Sequence, residues 1–167
     1  MRAVRAADKV LGRSALAQRL PELRARLGKI VFTCGVFDLL HVGHVRYLEF
    51  ARSLGGVLLV GVNSDRSVRA LDKAAGRPFV GEADRAELVA ALACVDFVCV
   101  FDEPRPDETI RALRPDIHVK GAGYTLAELP ETAAVREVNG EVVLAPHIEG
   151  RSTTALVERI AARKKDA

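Results

Sequence analysis

Five apolar, strand-length runs alternating with helix-length amphipathic stretches predict an α/β protein, with one five-stranded parallel sheet and helices on both faces. The runs are continuous rather than alternating, as strands covered on both faces require. The residues best suited to chemistry fall just past the carboxyl ends of these runs. Open parallel sheets bind ligands there, beside a switch in strand order.

The elements follow in order. Residues 1–28 read as an N-terminal helical extension, with SALAQRLPELRARLG as its helix and Pro21 kinking or dividing it; residues 29–167 read as a single domain. KIVFTCG (29–35) is the first strand, and a helix over roughly 42–54 ends near Gly55-Gly56. VLLVGVN (57–63) is the second strand, and Asn63-Ser64-Asp65 supplies cap chemistry for a short helix. DKAAGRPFVG (72–81) breaks all periodicity and reads as a loop. EADRAELVAAL (82–92) is a helix, VDFVCVF (95–101) the third strand, PRPDETIRALR (104–114) a helix and DIHVKG (116–121) the fourth strand. A helix within 127–138, EVVLAP (141–146) as the fifth strand and STTALVERIAARKK (152–165) as the last helix complete the pattern, with Ser152 a candidate N-cap.

Composition narrows the classes. With 167 residues, 49% apolar and 28% charged, the chain is long enough to bury a real core. No window is apolar enough for a membrane span, and MRAVRAADKV is not followed by the apolar stretch of a signal peptide. Cys34, Cys94 and Cys99 are an odd set inside apolar runs, as expected of reduced thiols in a cytoplasmic protein. A net charge of +3 spread along the chain, with 5% aromatic residues, argues against a nucleic-acid partner.

Two of the four histidines, His41 and His44, lie in TCGVFDLLHVGHVRYLEFAR (33–52), where a strand gives way to a helix. Their spacing puts both rings on one face of the first helical turn. Gly43 between them lets a ligand approach the backbone, and N–H groups at a helix start favour an anion. Three readings follow from the residues: phosphate ligands, a metal pair, or a capping or packing pair. A metal pair would need further ligands, and only His118 and His147 remain, each in its own strand region.

The same stretch resembles the signature of the cytidylyltransferase-like nucleotidyltransferases, whose HxGH motif opens the helix after the first strand. The resemblance runs from about Lys29 to Ile160 and includes VGVNSD (60–65), RPFVGEADR (77–85), VKGAGY (119–124) and EGRSTTALVERI (149–160) in order. Within the family the chain looks most like the adenylyltransferases acting on D-glycero-β-D-manno-heptose 1-phosphate. The resemblance implies a Rossmann-like fold of HxGH type and transfer of AMP from ATP to the sugar phosphate. ADP-heptose and pyrophosphate would be the products, with Mg²⁺ assisting. It also implies a free-standing form with a separate heptose kinase upstream and a homodimer or higher homo-oligomer; the lack of a long apolar window separately argues against a membrane partner.

Roles carry over residue by residue. His41 and His44 match the HxGH pair and, with Lys73, are the implied catalytic residues; a lysine on a Gly/Pro-punctuated loop can close over a leaving pyrophosphate. Thr33, Cys34, Gly35, Val36, Phe37, Gly43, Lys120, Gly121, Arg151, Ser152 and Thr153 are the implied nucleotide contacts, although Lys120 and Gly121 could equally reach the sugar. Asp38, Asn63, Asp65 and Arg85 are implied contacts of the sugar phosphate, although Asn63 and Asp65 could equally reach the ribose. Each of three has a plainer reading: Asp38 orients the loop, Asp65 caps a helix, and Arg85 is a surface arginine. No protein side chain is implied as a metal ligand; Mg²⁺ would ride on the triphosphate.

Two positions depart from the family pattern. Cys34 stands where Asn is common, and Gly123 stands where an acidic residue often precedes the tyrosine. The alternatives are a cytidylyltransferase acting on glycerol 3-phosphate or another small phosphorylated alcohol, and a non-catalytic nucleotide-binding regulatory module. A dinucleotide oxidoreductase is disfavoured, since no GxGxxG follows the first strand.

Overall fold

The computed structural model describes residues 4–71, 76–121, 125, 128–146 and 153–163. A 3₁₀ turn at Ala6–Lys9 leads into α1 (Arg13–Leu27), β1 (Ile30–Gly35), α2 (Val42–Ser53), β2 (Val57–Asn63) and α3 (Asp65–Ala70). Then come α4 (Glu82–Ala90), β3 (Phe97–Phe101), α5 (Asp107–Leu113), β4 (Ile117–Lys120), α6 (Thr132–Glu137), β5 (Glu141–Leu144) and α7 (Thr153–Arg163). The five strands form one sheet in the order β3-β2-β1-β4-β5, every pair parallel. Strand order reverses at β1, whose neighbours are β2 on one side and β4 on the other. The crevice that such a reversal opens therefore lies past Gly35 and Lys120.

Two apolar layers sandwich the sheet. On one face Val31, Leu58, Val60, Val62 and Val119 meet Leu48 and Ala51 of α2 and Ala86 and Val89 of α4. On the other, Ile30, Phe32, Val57 and Leu59 meet Leu16 and Leu20 of α1, Ile110 and Leu113 of α5, and Ala134 and Val135 of α6. All seven residues of β2, the strand between β1 and β3, are buried, which is why it reads as an unbroken apolar run.

The N-terminal segment is helical as expected, and it is built into the domain. Leu16 and Leu20 have 0% and 2% exposure and form part of the second layer. Pro21 neither divides α1 nor ends it. An internal proline costs a helix about 3 kcal/mol; burial of Leu16, Leu20 and Leu23 on one face offsets that cost. Where α1 hands over to the sheet, a Cβ on Gly56 would lie 1.6 Å from the Leu27 carbonyl oxygen, so only glycine fits.

Other differences are confined to element ends. β3, β4 and β5 are shorter than their apolar runs, and the helix expected over 104–114 begins only at Asp107, after Pro104 and Pro106. Cys34, Cys94 and Cys99 are free thiols, and burial pushes Cys99 up to about 12. No helix among the described residues is long and apolar enough to cross a membrane.

Because α1 supplies core rather than decoration, Leu16→Ala should cost about 2–5 kcal/mol of unfolding free energy. Urea denaturation measures this directly. A change below about 0.5 kcal/mol, the scale of an ordinary surface substitution, would mean that the domain is complete without α1.

Candidate active site

The chain leaves β1 at Gly35 and enters α2 at Val42, with His41 as the N-cap in an extended conformation (φ −143°, ψ 167°). Two reciprocal bonds close the cap. The Gly43 N–H donates to His41 Nδ1 at 3.1 Å, and the His41 N–H donates to His44 Nδ1 at 3.4 Å. The two rings stack with centroids 3.9 Å apart and planes 26° apart. A ring nitrogen that accepts a hydrogen bond carries no proton, so in both neutral imidazoles the proton sits on Nε2. Burial, and then the neighbouring His41, push the His44 pKa down to about 4, so this ring is neutral at pH 7.

This arrangement revises the helix-start argument made from spacing. The Gly43 N–H is taken by His41 Nδ1, and the His44 N–H bonds to the His41 carbonyl at 2.9 Å. Both are therefore committed within the cap and are not open to an anion. The pair is thus a helix cap in which each ring keeps its proton on Nε2.

The loop between β1 and α2 is held from behind. Phe37 is buried with φ 50°, a left-handed conformation uncommon for a bulky residue. Its ring lies 5.4 Å from that of His44. Asp38 is 3% exposed, and its Oδ1 accepts from the Phe79 and Val80 N–H groups at 2.8 and 3.1 Å. Arg77 Nε lies 3.8 Å from Asp38 Oδ2. Asp38 thus fastens the histidine loop to residues 77–80, the far side of the segment that carries Lys73.

Arg85 completes the fastening and is fully enclosed, unlike a surface arginine. Its Nε donates to the Val80 carbonyl at 2.8 Å, Nη1 to the Val36 carbonyl at 2.6 Å and Nη2 to Asp65 Oδ1 at 2.7 Å. The cap of α3 is Ser64, whose Oγ accepts from Ser67 N–H at 3.1 Å, while Asp65 serves as the counter-charge of Arg85. The Asp65 N–H donates to Glu82 Oε2 at 2.6 Å. Of the four residues implied for the sugar phosphate, Asp38, Asp65 and Arg85 thus direct polar atoms into the frame. Asn63, buried at the end of β2, donates to Ser67 Oγ at 2.8 Å and lines the crevice.

At the strand-order switch, Thr33 Oγ1 and Tyr47 OH are 2.6 Å apart and Tyr47 OH donates to the Val119 carbonyl at 2.9 Å. Thr33 therefore links β1, α2 and β4. Burial raises the Tyr47 pKa, so the phenol keeps its proton. Lys120 Nζ donates to Glu131 Oε1 at 2.6 Å, and His118 Nε2 lies 3.4 Å from the same oxygen. Burial lowers the His118 pKa, so that contact is a long hydrogen bond from a neutral ring. Burial alone would raise the Glu131 carboxyl; bonds from His118 and Lys120 outweigh it and bring it down to about 2. Lys120 and Glu131 border a cleft of about 330 Å³ that also takes in Cys34, Gly35, Val36 and Asn63.

Tyr47 and Glu131 were absent from the sequence reading. Tyr47 lies three residues after His44 on α2, a spacing that could have shown it on the same face; nothing local marks Glu131. Lys73, Arg151, Ser152, Gly123 and His147 lie outside the described residues. Thr153 is the first residue of α7, and Gly121 follows β4 with open space at its Cβ position. Among the described residues no group of three or more His, Cys, Asp or Glu side chains is placed to hold a metal ion.

Two expectations follow. Between pH 6.5 and about 4 the unfolded chain binds a proton at His44 that the folded chain does not, so stability falls as pH drops through that window. His44→Gln, which preserves an N3 capping acceptor, should flatten part of this limb in urea titrations, the remainder belonging to His118. The loss from Glu131 falls lower, between 4.5 and about 2. Arg85→Met should cost at least about 2 kcal/mol, and Arg85→Lys should not restore it, because one ammonium cannot span three acceptors.

Comparison with known proteins agrees with this geometry. Residues 32–159 match the cytidylyltransferase-like family. The chain is 51% identical over 147 residues to the bifunctional protein HldE of Streptomyces coelicolor, covering 88% of this chain and 31% of that protein. It is 45% identical over 159 residues to HldE of Trichlorobacter lovleyi, covering 95% and 32%. The chain thus spans about a third of the length of these relatives. A crystal structure of a lipopolysaccharide core biosynthesis protein from Thermoplasma volcanium superposes with a TM-score of 0.63 at 29% identity, over 72% of this chain and 98% of that one. Pantothenate synthetase from Thermus thermophilus shares the fold, with a TM-score of 0.56 at 17% identity over 94% and 70% of the two chains. With the stacked His41–His44 cap past the central strand, the chain belongs to the cytidylyltransferase-like family of nucleotidyltransferases.

Proposed function

We propose that this protein transfers AMP from ATP to D-glycero-β-D-manno-heptose 1-phosphate, giving ADP-heptose and pyrophosphate. The observation that carries the reading is the reciprocal His41–His44 cap, which fixes two Nε2–H donors where the chain leaves β1. The choice of nucleotide and sugar rests on likeness to HldE and to the lipopolysaccharide core protein.

In the reaction an oxygen of the sugar 1-phosphate attacks the α-phosphorus of ATP. The bond from that phosphorus to the oxygen bridging it to the β-phosphorus breaks, and its electron pair leaves with pyrophosphate. Such a step needs alignment and charge stabilisation more than covalent help. Neutral imidazoles suit it: each donates from Nε2 to a phosphoryl oxygen, and growing negative charge strengthens that bond. A bound triphosphate also favours the protonated ring, opposing the effect of burial on His44. Mg²⁺ held by the triphosphate neutralises part of its charge.

Lys73 is assigned to the leaving pyrophosphate, and Arg151, Ser152 and Thr153 to the triphosphate, on their sequence context. Asp38 and Arg85 position the loops on either side. We assign the reaction to the cytoplasm, where ATP is made.

Pyrophosphate release from ATP, CTP, GTP and UTP, each with heptose 1-phosphate and with glycerol 3-phosphate, tests the reading. Release with ATP and heptose 1-phosphate alone is expected; release with CTP and glycerol 3-phosphate would transfer the assignment to a cytidylyltransferase, and no release at all would favour a regulatory nucleotide-binding module. His44→Ala should lower turnover by roughly 10²–10³, the scale for one lost transition-state donor, and Lys73→Ala should lower it comparably.

A further inference from the structure

The cleft at the switch point differs in electrostatic character from the start of α2. It is bordered by Gly35, Asn63, Phe101, Arg105, Lys120 and Glu131. Both of its cations are already paired with carboxylates. Arg105 donates to both oxygens of Asp107, at 3.0 and 2.8 Å, and to the Pro130 carbonyl at 2.6 Å. Lys120 donates to Glu131, whose side chain is 3% exposed against 19% for Lys120. The carboxylate is the more deeply buried partner, and both residues line the cleft. A second anion there would compete with Glu131 and Asp107 for charge already compensated. A hydroxyl gains from fixed donors without that competition.

Resting on the adenylyltransferase reading, we propose that Lys120 is a specificity-determining residue that donates to hydroxyls of the acceptor's sugar body, and that Glu131 is the positioning residue that aims it. The phosphate end of the acceptor is then left to the donors around α2. Glu131 acts through its charge and its depth: it cancels the cationic pull of Lys120 on phosphate and fixes the direction of one of the three ammonium N–H bonds. His118, a neutral ring stacked on Phe32 with centroids 5.5 Å apart, holds the same Glu131 oxygen from below.

The test is steady-state pyrophosphate release by the full chain with MgATP and heptose 1-phosphate, for the unsubstituted protein, Lys120→Met and Glu131→Gln. Lys120→Met should raise the acceptor KM by about tenfold, the scale of one hydrogen bond from a charged donor, with the KM for ATP and kcat within about twofold. It should also narrow the preference for heptose 1-phosphate over β-mannose 1-phosphate, which lacks the seventh carbon and its hydroxyl. Glu131→Gln should raise the acceptor KM less and strengthen inhibition by inorganic phosphate, because it uncovers the ammonium; Glu131→Asp should restore part of both. An unchanged acceptor KM in Lys120→Met overturns the assignment, as does weaker phosphate inhibition in that variant or a parallel rise in the KM for ATP. If Glu131→Gln does not fold, Lys120→Met decides. Transfer by the unsubstituted protein with unchanged variants sinks only this assignment, whereas no transfer to any sugar phosphate sinks the function and this assignment with it.

Discussion

β1 has a parallel partner on each side, and the chain has to leave it between them. Everything placed at the site descends from that constraint. A strand hydrogen-bonded to β2 through Ile30–Gly35 and to β4 through Val31–Thr33 cannot shift without breaking two ladders. Its last residue is therefore fixed, and the six-residue exit before α2 begins from a rigid point. The exit itself has no ladder. Arg85 and Asp38 stand in for one, bonding to the Val36 carbonyl and to the Phe79 and Val80 N–H groups. Burying a guanidinium is tolerable here because three of its N–H directions meet acceptors, one of them a carboxylate. A positive φ at Phe37 persists for the same reason: the surroundings over-determine it.

Within that frame His41 and His44 divide their ring nitrogens between two jobs. The Nδ1 atoms belong to the helix cap and so to stability. The Nε2 atoms carry the ring protons and, on the proposed reading, would meet a phosphoryl oxygen. Because the cap sets the tautomer, a ligand need not select it, and no reorganisation is needed when charge develops on a phosphoryl oxygen. The proposed reading accommodates the depressed pKa of His44, because a neutral imidazole is still a donor.

The sequence made the sheet legible because strands buried on both faces must be continuous and apolar, and VLLVGVN could be little else. The HxGH pair was equally legible, since its chemistry lies in four adjacent residues. Arg85 was not, because whether a helix arginine faces water or carbonyls depends on Val36 and Asp65, 49 and 20 positions away. That Pro21 leaves α1 undivided was not legible either: its cost is local, while the compensating burial of Leu16 and Leu20 is tertiary. Asp65 and Ser64 show a finer limit. Either residue can cap a helix, and which one does so was decided by the arginine that claims Asp65.

Two electrostatic environments then adjoin at one sheet end, and their difference is informative. At α2 the His44 donor is a neutral imidazole at pH 7, so an incoming anion brings the charge to that turn. At the cleft each cation has its own carboxylate, so an incoming anion meets competition. A ligand with a charged end and a neutral hydroxylated end has one favourable orientation across such a boundary and one unfavourable one. Polarity of this kind orients a substrate before any shape complementarity acts, because reversing it would set phosphate against Glu131 and leave hydroxyls at the imidazoles. On the proposed reading, the paired charges beside β4 would thus do more than neutralise one another: they would give the site a direction along which an acceptor phosphate points toward the histidines.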